Sequence, residues 1–312
     1  MLAGVMRAAV LEEYGVPSYG EFPDPPADGP VVQVLAAGMN PVDVSISGGL
    51  FYAGKPPLPS VTGREGVGLL DGRRVYFDAP QAPYGSMAEF ALIDPASAYP
   101  LPDGVSDGVG VALGISGLAA WLALTWRARL QQGEHVLVLG ASGLVGQIAV
   151  QAARVLGAGR VIAAARSQEG LARAEAQGAD ATVSLGADDL PAALRDAGDG
   201  RIDVVVDPLF GAPFTAATQA ASFGARIVQL GSMAGSEATV ASPDIRGKLL
   251  EILGHTNFAA PVDVKRDAYL AMAAAAAEGR IDVDIEPVPL ADVQRAWELL
   301  KAGSHAKIVI VP

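Results

Sequence analysis

Hydrophobic and polar positions change their rhythm once along this chain. Up to about residue 108 the apolar runs are short: residues 31–37 (VVQVLAA), 66–70, 74–77 and 88–93. Pro- and Gly-rich breaks at 23–30, 48–59 and 80–85 separate them. Such runs predict β-strands, and several at this spacing predict a compact barrel-like domain. Residues 69–75 narrow to a hairpin with Asp71-Gly72 as its turn. After Pro102 the pattern alternates. Ser106 or Asp107 caps a predicted helix to about 113, and 117–129 reads as helical. Buried-strand runs follow at 135–139, 160–165, 181–184, 204–207 and 225–230. Helical stretches at 144–156, 168–177, 190–195 and 214–221 lie between them. Apolar strands alternating with amphipathic helices predict an α/β fold with a doubly wound parallel sheet. The tail reads as helix 266–278, extended 286–289, helix 290–301 and strand 307–311, and can return to close the first domain. The expected organisation is discontinuous: 1–113 plus 257–312 form one domain, with 114–256 inserted.

The sharpest chemical signal lies at the start of the alternation. A strand is followed by Gly140-Ala141-Ser142-Gly143-Leu144-Val145-Gly146 and then a helix. A dinucleotide site needs that order. One glycine makes the tight turn, the next lets backbone N–H groups approach the pyrophosphate, and the third lets the helix pack on the strand. The spacing is G-x-x-G-x-x-G, so a plain tight turn is the competing reading. The next strand ends Ala165-Arg166-Ser167. An NAD site usually places Asp or Glu here, about 20 residues past the glycines. A carboxylate would repel a 2′-phosphate, whereas an arginine and a serine would hold one. NADPH is the expected cofactor; a solvated Arg166 is the alternative.

Composition narrows the function classes. Lys plus Arg number 22 against 34 Asp plus Glu, giving a net charge of −12. That argues against nucleic acid as a partner. Cys is absent, which excludes disulfides, Cys-ligated zinc and a thiol nucleophile. The residues His135, His255 and His305 have no metal-ligand spacing. Residues 1–15 carry no basic n-region followed by a long apolar run, and 271–277 is too short to span a bilayer. No membrane partner and a cytoplasmic location are expected.

The order of these pieces resembles the medium-chain dehydrogenase/reductase superfamily, in its zinc-independent, quinone oxidoreductase-like branch. The pieces are Met6-Arg-Ala-Ala-Val10, Gly38-Met-Asn-Pro-Val-Asp43, Gly63-Arg-Glu-Gly-Val-Gly68, Gly85-Ser-Met-Ala-Glu89, the glycine turn, Asp203-Val-Val-Val-Asp207, Gln229-Leu-Gly-Ser232 and Lys307-Ile-Val-Ile-Val311. The resemblance implies a GroES-like barrel domain, built from both chain ends, around a Rossmann domain. Zinc-dependent relatives carry a ligand Cys where this chain has Asn40 and a ligand His where it has Arg64. No metal is therefore expected. The resemblance puts Asn40 beside the nicotinamide, where its amide can donate to a substrate oxygen; a turn Asn before Pro41 is the alternative. It puts Tyr52 in a cleft-facing loop, where a phenol can bond the acceptor or supply a proton; packing of the loop is the alternative. Tyr84 and Lys55 are weaker candidates, and Asp43 and Glu65 read as structural carboxylates. Further cofactor contacts are expected from Leu209, Phe210, Gly231, Ser232, Met233, Asn257 and Phe258, past strand ends or at the domain crossover. Lys307 matches a family lysine near the cofactor cleft, or is a solvated strand-end residue.

Without a metal, a substrate carbonyl must be polarised by hydrogen-bond donors, and a conjugated acceptor eases that demand by spreading the developing charge. The expected activity is hydride transfer from NADPH to a quinone or α,β-unsaturated carbonyl. An ene-reductase acting on an acyl thioester and a low-turnover, crystallin-like NADPH-binding protein are the alternatives. The resemblance also implies a homodimer through sheet edges, for which 225–230 and 249–254 are the candidate segments.

Overall fold

The computed structural model describes residues 4–312; residues 1–3, included in the expected first domain, lie outside the described residues. The chain divides into two compact units. One contains the residues up to Ile115 together with Val262–Pro312, and the other is Ser116–Pro261. The sequence pattern put the crossings at 113/114 and 256/257. The return comes later because Asn257–Ala259 forms a 3₁₀ turn and the next helix, Val262–Ala277, starts directly after Pro261. Proline suits a helix start, where its missing N–H leaves no bond unmade.

The second unit is built on six parallel strands: His135–Leu139, Arg160–Ala165, Ala181–Ser184, Val204–Asp207, Arg226–Gln229 and Glu251–Gly254. The strands His135–Leu139, Arg160–Ala165 and Val204–Asp207 are largely apolar and buried, as expected where helices cover both sheet faces, while the edge strand Glu251–Gly254 is largely exposed. The third strand lies at one edge, then the second, the first, the fourth, the fifth and the sixth. The order reverses between the first and fourth strands, and a Rossmann sheet binds its ligand at that switch point. Leu137, Ile162, Val205 and Ile227 from four of the strands pack with Phe214 and Leu194 of the helices. Of the two expected edge segments, Arg226–Gln229 is interior, paired on both sides. Only Glu251–Gly254 lies at the edge with unpaired backbone groups.

In the first unit Val5–Leu11 pairs with Ser18–Pro23 and with Ser60–Val61. A larger sheet runs in the order Ile285–Pro289, Lys307–Val311, Val31–Gly38, Glu65–Leu70, Arg73–Asp78, Ala98–Pro100, with Phe90–Leu92 also pairing Val31–Gly38. The hairpin turn is as expected: Leu70 pairs Arg73, with Asp71 at φ 50° and Gly72 at φ 74° between them. Two successive positive φ values define the turn that matches strand twist. The sheet order brings the C-terminal strand against Val31–Gly38, and that strand against Glu65–Leu70. Three distant stretches of chain thus meet around Gly38, Glu65 and Lys307.

One helical run, Asp107–Arg127, is long and apolar enough to cross a membrane, but 72% of its apolar window is buried within the protein. That is the exposure of a core helix. Gly114, at ψ −118°, breaks the run. A further helix, Pro41–Ser47, occupies what the sequence pattern left as a turn. The signal for it was present: Asn40 at the N-cap, Pro41 at the first position and Asp43 in the first turn.

Candidate active site

Glu65 is fully buried in its strand and accepts four hydrogen bonds. Its Oε1 takes Lys307 Nζ at 2.7 Å and Asn40 Nδ2 at 2.8 Å. Its Oε2 takes Tyr76 OH at 3.0 Å and the Ile115 backbone N–H at 2.5 Å. A buried carboxylate is tolerable only when its lone pairs are filled in this way and a cation stands beside it. Glycines make the room: a Cβ on Gly38 would come 2.5 Å from Glu65 Oε1, and one on Gly114 would collide with Oε2. Lys307 Nζ also donates to Asn40 Oδ1 at 2.7 Å. Its side chain has 0% exposure, so it is no solvated strand-end lysine.

Asn40 is likewise buried. It caps the Pro41–Ser47 helix, its backbone N–H donates to Asp43 Oδ2 at 2.8 Å, and Nδ2 approaches the same oxygen at 3.4 Å. The amide nitrogen given to a substrate oxygen by the sequence reading is thus directed at Glu65 and Asp43 in this structure. Burial pushes the Asp43 carboxyl up to about 7; the Asn40 N–H opposes this, the Glu65 charge adds to it, and Lys307 opposes it. Asp43 Oδ1 has no hydrogen-bond partner among the described residues. Tyr52 differs from this group: it is 76% exposed, its ring tilted against Phe51 at 4.5 Å. Tyr84 OH donates to Asp24 O, and the Lys55 ammonium lies over the Tyr14 ring.

In the second unit the glycine turn follows the first strand at the switch point. Gly140 is left-handed, at φ 64°, and a Cβ there would come 3.0 Å from Leu209 Cδ2. Gly146 is required by proximity: a Cβ would stand 2.7 Å from Ala141 Cα and collide with Gly140 O. At Gly143 the nearest atom to a Cβ is 3.5 Å away. Leu144, Val145 and Gly146 open the Leu144–Val155 helix, whose first N–H groups have no carbonyl partner within it. Overpacking of this kind costs about 1–3 kcal/mol. Urea unfolding of Gly146→Ala is expected to show that loss, while Gly143→Ala keeps the wild-type midpoint.

The neighbouring loops gather at the same edge. Arg166 is exposed and makes no hydrogen bond or ion pair among the described residues. Ser167 caps Gln168–Ala176, accepting from Gly170 N–H at 3.1 Å. A Cβ on Gly170 would collide with Ser142 Cβ, so the Ser167 cap abuts the glycine turn. Asp207 is a residue whose role the sequence reading missed. Fully buried, it accepts from the N–H groups of Leu209 and Phe210, both at 2.9 Å. That holds Phe210 at φ 57°, ψ −159°, a conformation natural only to glycine. Burial raises the Asp207 pKa, and these two N–H groups oppose the rise. Gly231 packs against Pro208, where a Cβ would meet Pro208 O at 2.6 Å, and Met233 N–H donates to that oxygen at 3.3 Å. Ser232 O accepts from Gly235 N–H, and Met233 is 76% exposed. Asn257 Oδ1 lies 3.0 Å from His255 Nε2, and Phe258 is half exposed. Asn257 and Phe258 belong to the second unit; Asn40, Tyr52 and Lys307 belong to the first.

Comparison with known proteins decides the family. The family described as "Zinc-binding dehydrogenase" matches residues 145–256, within the second unit. The quinone oxidoreductase of Rattus norvegicus is 31% identical over 272 residues, covering 81% of this chain and 81% of that one. The chain belongs to the zinc-independent, quinone oxidoreductase-like branch of the medium-chain dehydrogenases/reductases. It is an oxidoreductase with the two-domain α/β fold of that family, a GroES-like barrel domain and a Rossmann domain. The quinone oxidoreductase of Thermus thermophilus, solved also in complex with NADPH, superimposes with a TM-score of 0.80 at 28% identity, covering 98% of this chain and all (100%) of that one. An NAD-dependent alcohol dehydrogenase superimposes with a TM-score of 0.89 at 27% identity, over 98% and 100% of the two chains. The same fold thus carries either nicotinamide cofactor, and local residues must choose. Among the described residues no group of three or more His, Cys, Asp or Glu is arranged to hold a metal ion.

Proposed function

We propose that this chain transfers a hydride from NADPH to a quinone or an α,β-unsaturated carbonyl without a metal. One observation supports the cofactor choice: Arg166, exposed and without a bond among the described residues, directly follows the strand Arg160–Ala165 that pairs with His135–Leu139, at the sequence position where NAD sites place a carboxylate. The dihydronicotinamide supplies the hydride when bound. The N–H groups of Ser142 to Gly146 bind the pyrophosphate, with Gly140 and Ala141 shaping the turn. Arg166 and the Ser167 hydroxyl hold the 2′-phosphate. Leu209, Phe210, Gly231, Ser232, Met233, Asn257 and Phe258 flank the rest of the cofactor. Lys307 fixes Asn40 and Glu65, and Tyr52 offers its phenol to the acceptor oxygen. The protein works in the cytoplasm as a homodimer, pairing its Glu251–Gly254 edges.

The test is oxidation of reduced nicotinamide, followed by its near-ultraviolet absorbance with a chelator present. NADPH and NADH are each offered a benzoquinone, a naphthoquinone, an enone and a crotonyl thioester. Chelator-insensitive turnover of NADPH on a quinone or the enone is expected. Turnover confined to the thioester replaces the acceptor class, and tight NADPH binding without oxidation of any kind replaces the enzyme reading.

A further inference from the structure

We propose that Asp43 delivers the proton that the reduction consumes, from a cavity inside the first unit. This rests on the hydride-transfer reading above. The cavity has a volume of about 90 Å³ and is lined by the Pro41–Ser47 helix and by residues 56–57, 60–64, 80 and 82–85, with Asp43, Ser47, Thr62, Arg64 and Tyr84 among its polar walls. A water needs about 10–15 Å³ of such space, so several fit. Asp43 is 2% exposed, lines this cavity, and keeps Oδ1 without a partner. An unfilled buried carboxyl oxygen beside a cavity with room for water is where a proton can be held and passed on.

The other buried acid in the cluster is unsuited to that task. Each oxygen of Glu65 already accepts two donors, so an added proton would meet N–H and O–H groups. Among the described residues, Asp43 accepts only from Asn40, through Oδ2. The charged and titratable groups around it are Glu65 and Lys307 on the neighbouring strands, and Arg64 and Tyr84 across the cavity. Glu65 and Lys307 are paired, so their opposed effects leave burial as the dominant influence, and the Asp43 carboxyl stays protonated to about pH 7. The step balances. After hydride transfer the acceptor holds a new C–H bond and a negative charge on its oxygen. The Asp43 O–H bond breaks, one cavity water relays the proton, and an O–H bond forms on the acceptor. The carboxylate keeps the electron pair, and a solvent proton restores the acid.

The test measures kcat/KM for NADPH-driven quinone reduction between pH 5.5 and 9 in wild type and Asp43→Asn. Wild-type kcat/KM is expected to fall tenfold per pH unit above about 7, where the acid form is lost. Asp43→Asn is expected to lose about 10²–10⁴-fold in kcat, to keep its NADPH affinity, and to show no such limb. Thermal melts give a second reading. The folded wild type keeps a proton that the unfolded chain gives up above its ordinary value of 3.8, so wild-type stability declines as pH rises toward 7. Asp43→Asn lacks that decline, and its melting temperature should gain on wild type from pH 5 to pH 8. A variant kcat within twofold of wild type, an unchanged pH limb, or a melting gap independent of pH overturns the proposal. Should the variant not fold, a flat wild-type profile between pH 6 and 9 overturns it equally. A wild type silent on every acceptor overturns the hydride-transfer reading itself, and Asp43 with it; an active wild type with an unaffected variant overturns Asp43 alone.

Discussion

Replacing Lys307 by methionine should destabilise the protein by about 3–5 kcal/mol, the cost of leaving a buried charge without its partner. Methionine preserves most of the side-chain volume, so the loss is electrostatic rather than steric. Glu65 would then sit at 0% exposure with Asn40, Tyr76 and Ile115 still donating but with no cation beside it. Asn40 Oδ1 would lose the same ammonium. The measurement is the urea midpoint of unfolding, read against the double variant Lys307→Met/Glu65→Gln. Removing both charges should recover most of the loss, because a neutral amide tolerates burial far better than a lone carboxylate. A single-variant loss below about 1 kcal/mol would mean that water reaches Glu65 and that the burial seen here is not maintained in solution.

Arg166→Asp should weaken NADPH binding by about ten- to a hundredfold and leave NADH binding equal or stronger. A hydrogen bond to a charged group contributes about 1.5–3 kcal/mol, and each 1.4 kcal/mol is tenfold in affinity. The aspartate adds repulsion toward a 2′-phosphate and an acceptor for a ribose 2′-hydroxyl. Arg166→Ala separates the two contributions, since it removes attraction without adding repulsion. Arg166 is exposed and makes no bond among the described residues, so neither change should move the melting temperature. Nucleotide titration by fluorescence decides the matter. Unchanged NADPH affinity in Arg166→Asp would show that the arginine is a solvated surface group.

The alternating half of the chain was readable because each of its signals is local. The strands His135–Leu139, Arg160–Ala165, Ala181–Ser184 and Val204–Asp207 lie where the apolar runs place them. A buried parallel strand reads as a mostly apolar run, and the turn at Gly140 states its backbone need in its own residue type. The run 225–230 was readable as a strand but not as an interior one, since its neighbours are set by pairing rather than by its own composition. The Pro41–Ser47 helix was missed although Asn40, Pro41 and Asp43 mark its start, because Asn-Pro also marks a turn.

By itself, the sequence determined the fold class, the alternation that builds the parallel sheet, the glycine turn, the absence of cysteine chemistry and an arginine where a carboxylate is usual. These are properties of short windows, where side-chain period and backbone preference act directly. Only the tertiary structure decided that Lys307 pairs with Glu65 across 242 positions of sequence. It also decided that Asn40 turns its amide toward that pair, that Asp43 keeps an unfilled oxygen beside a cavity, and that Asp207 holds Phe210 in a glycine-like conformation. Burial, charge pairing and proton affinity depend on what surrounds a group in space, and strand order brings those surroundings together from opposite ends of the chain.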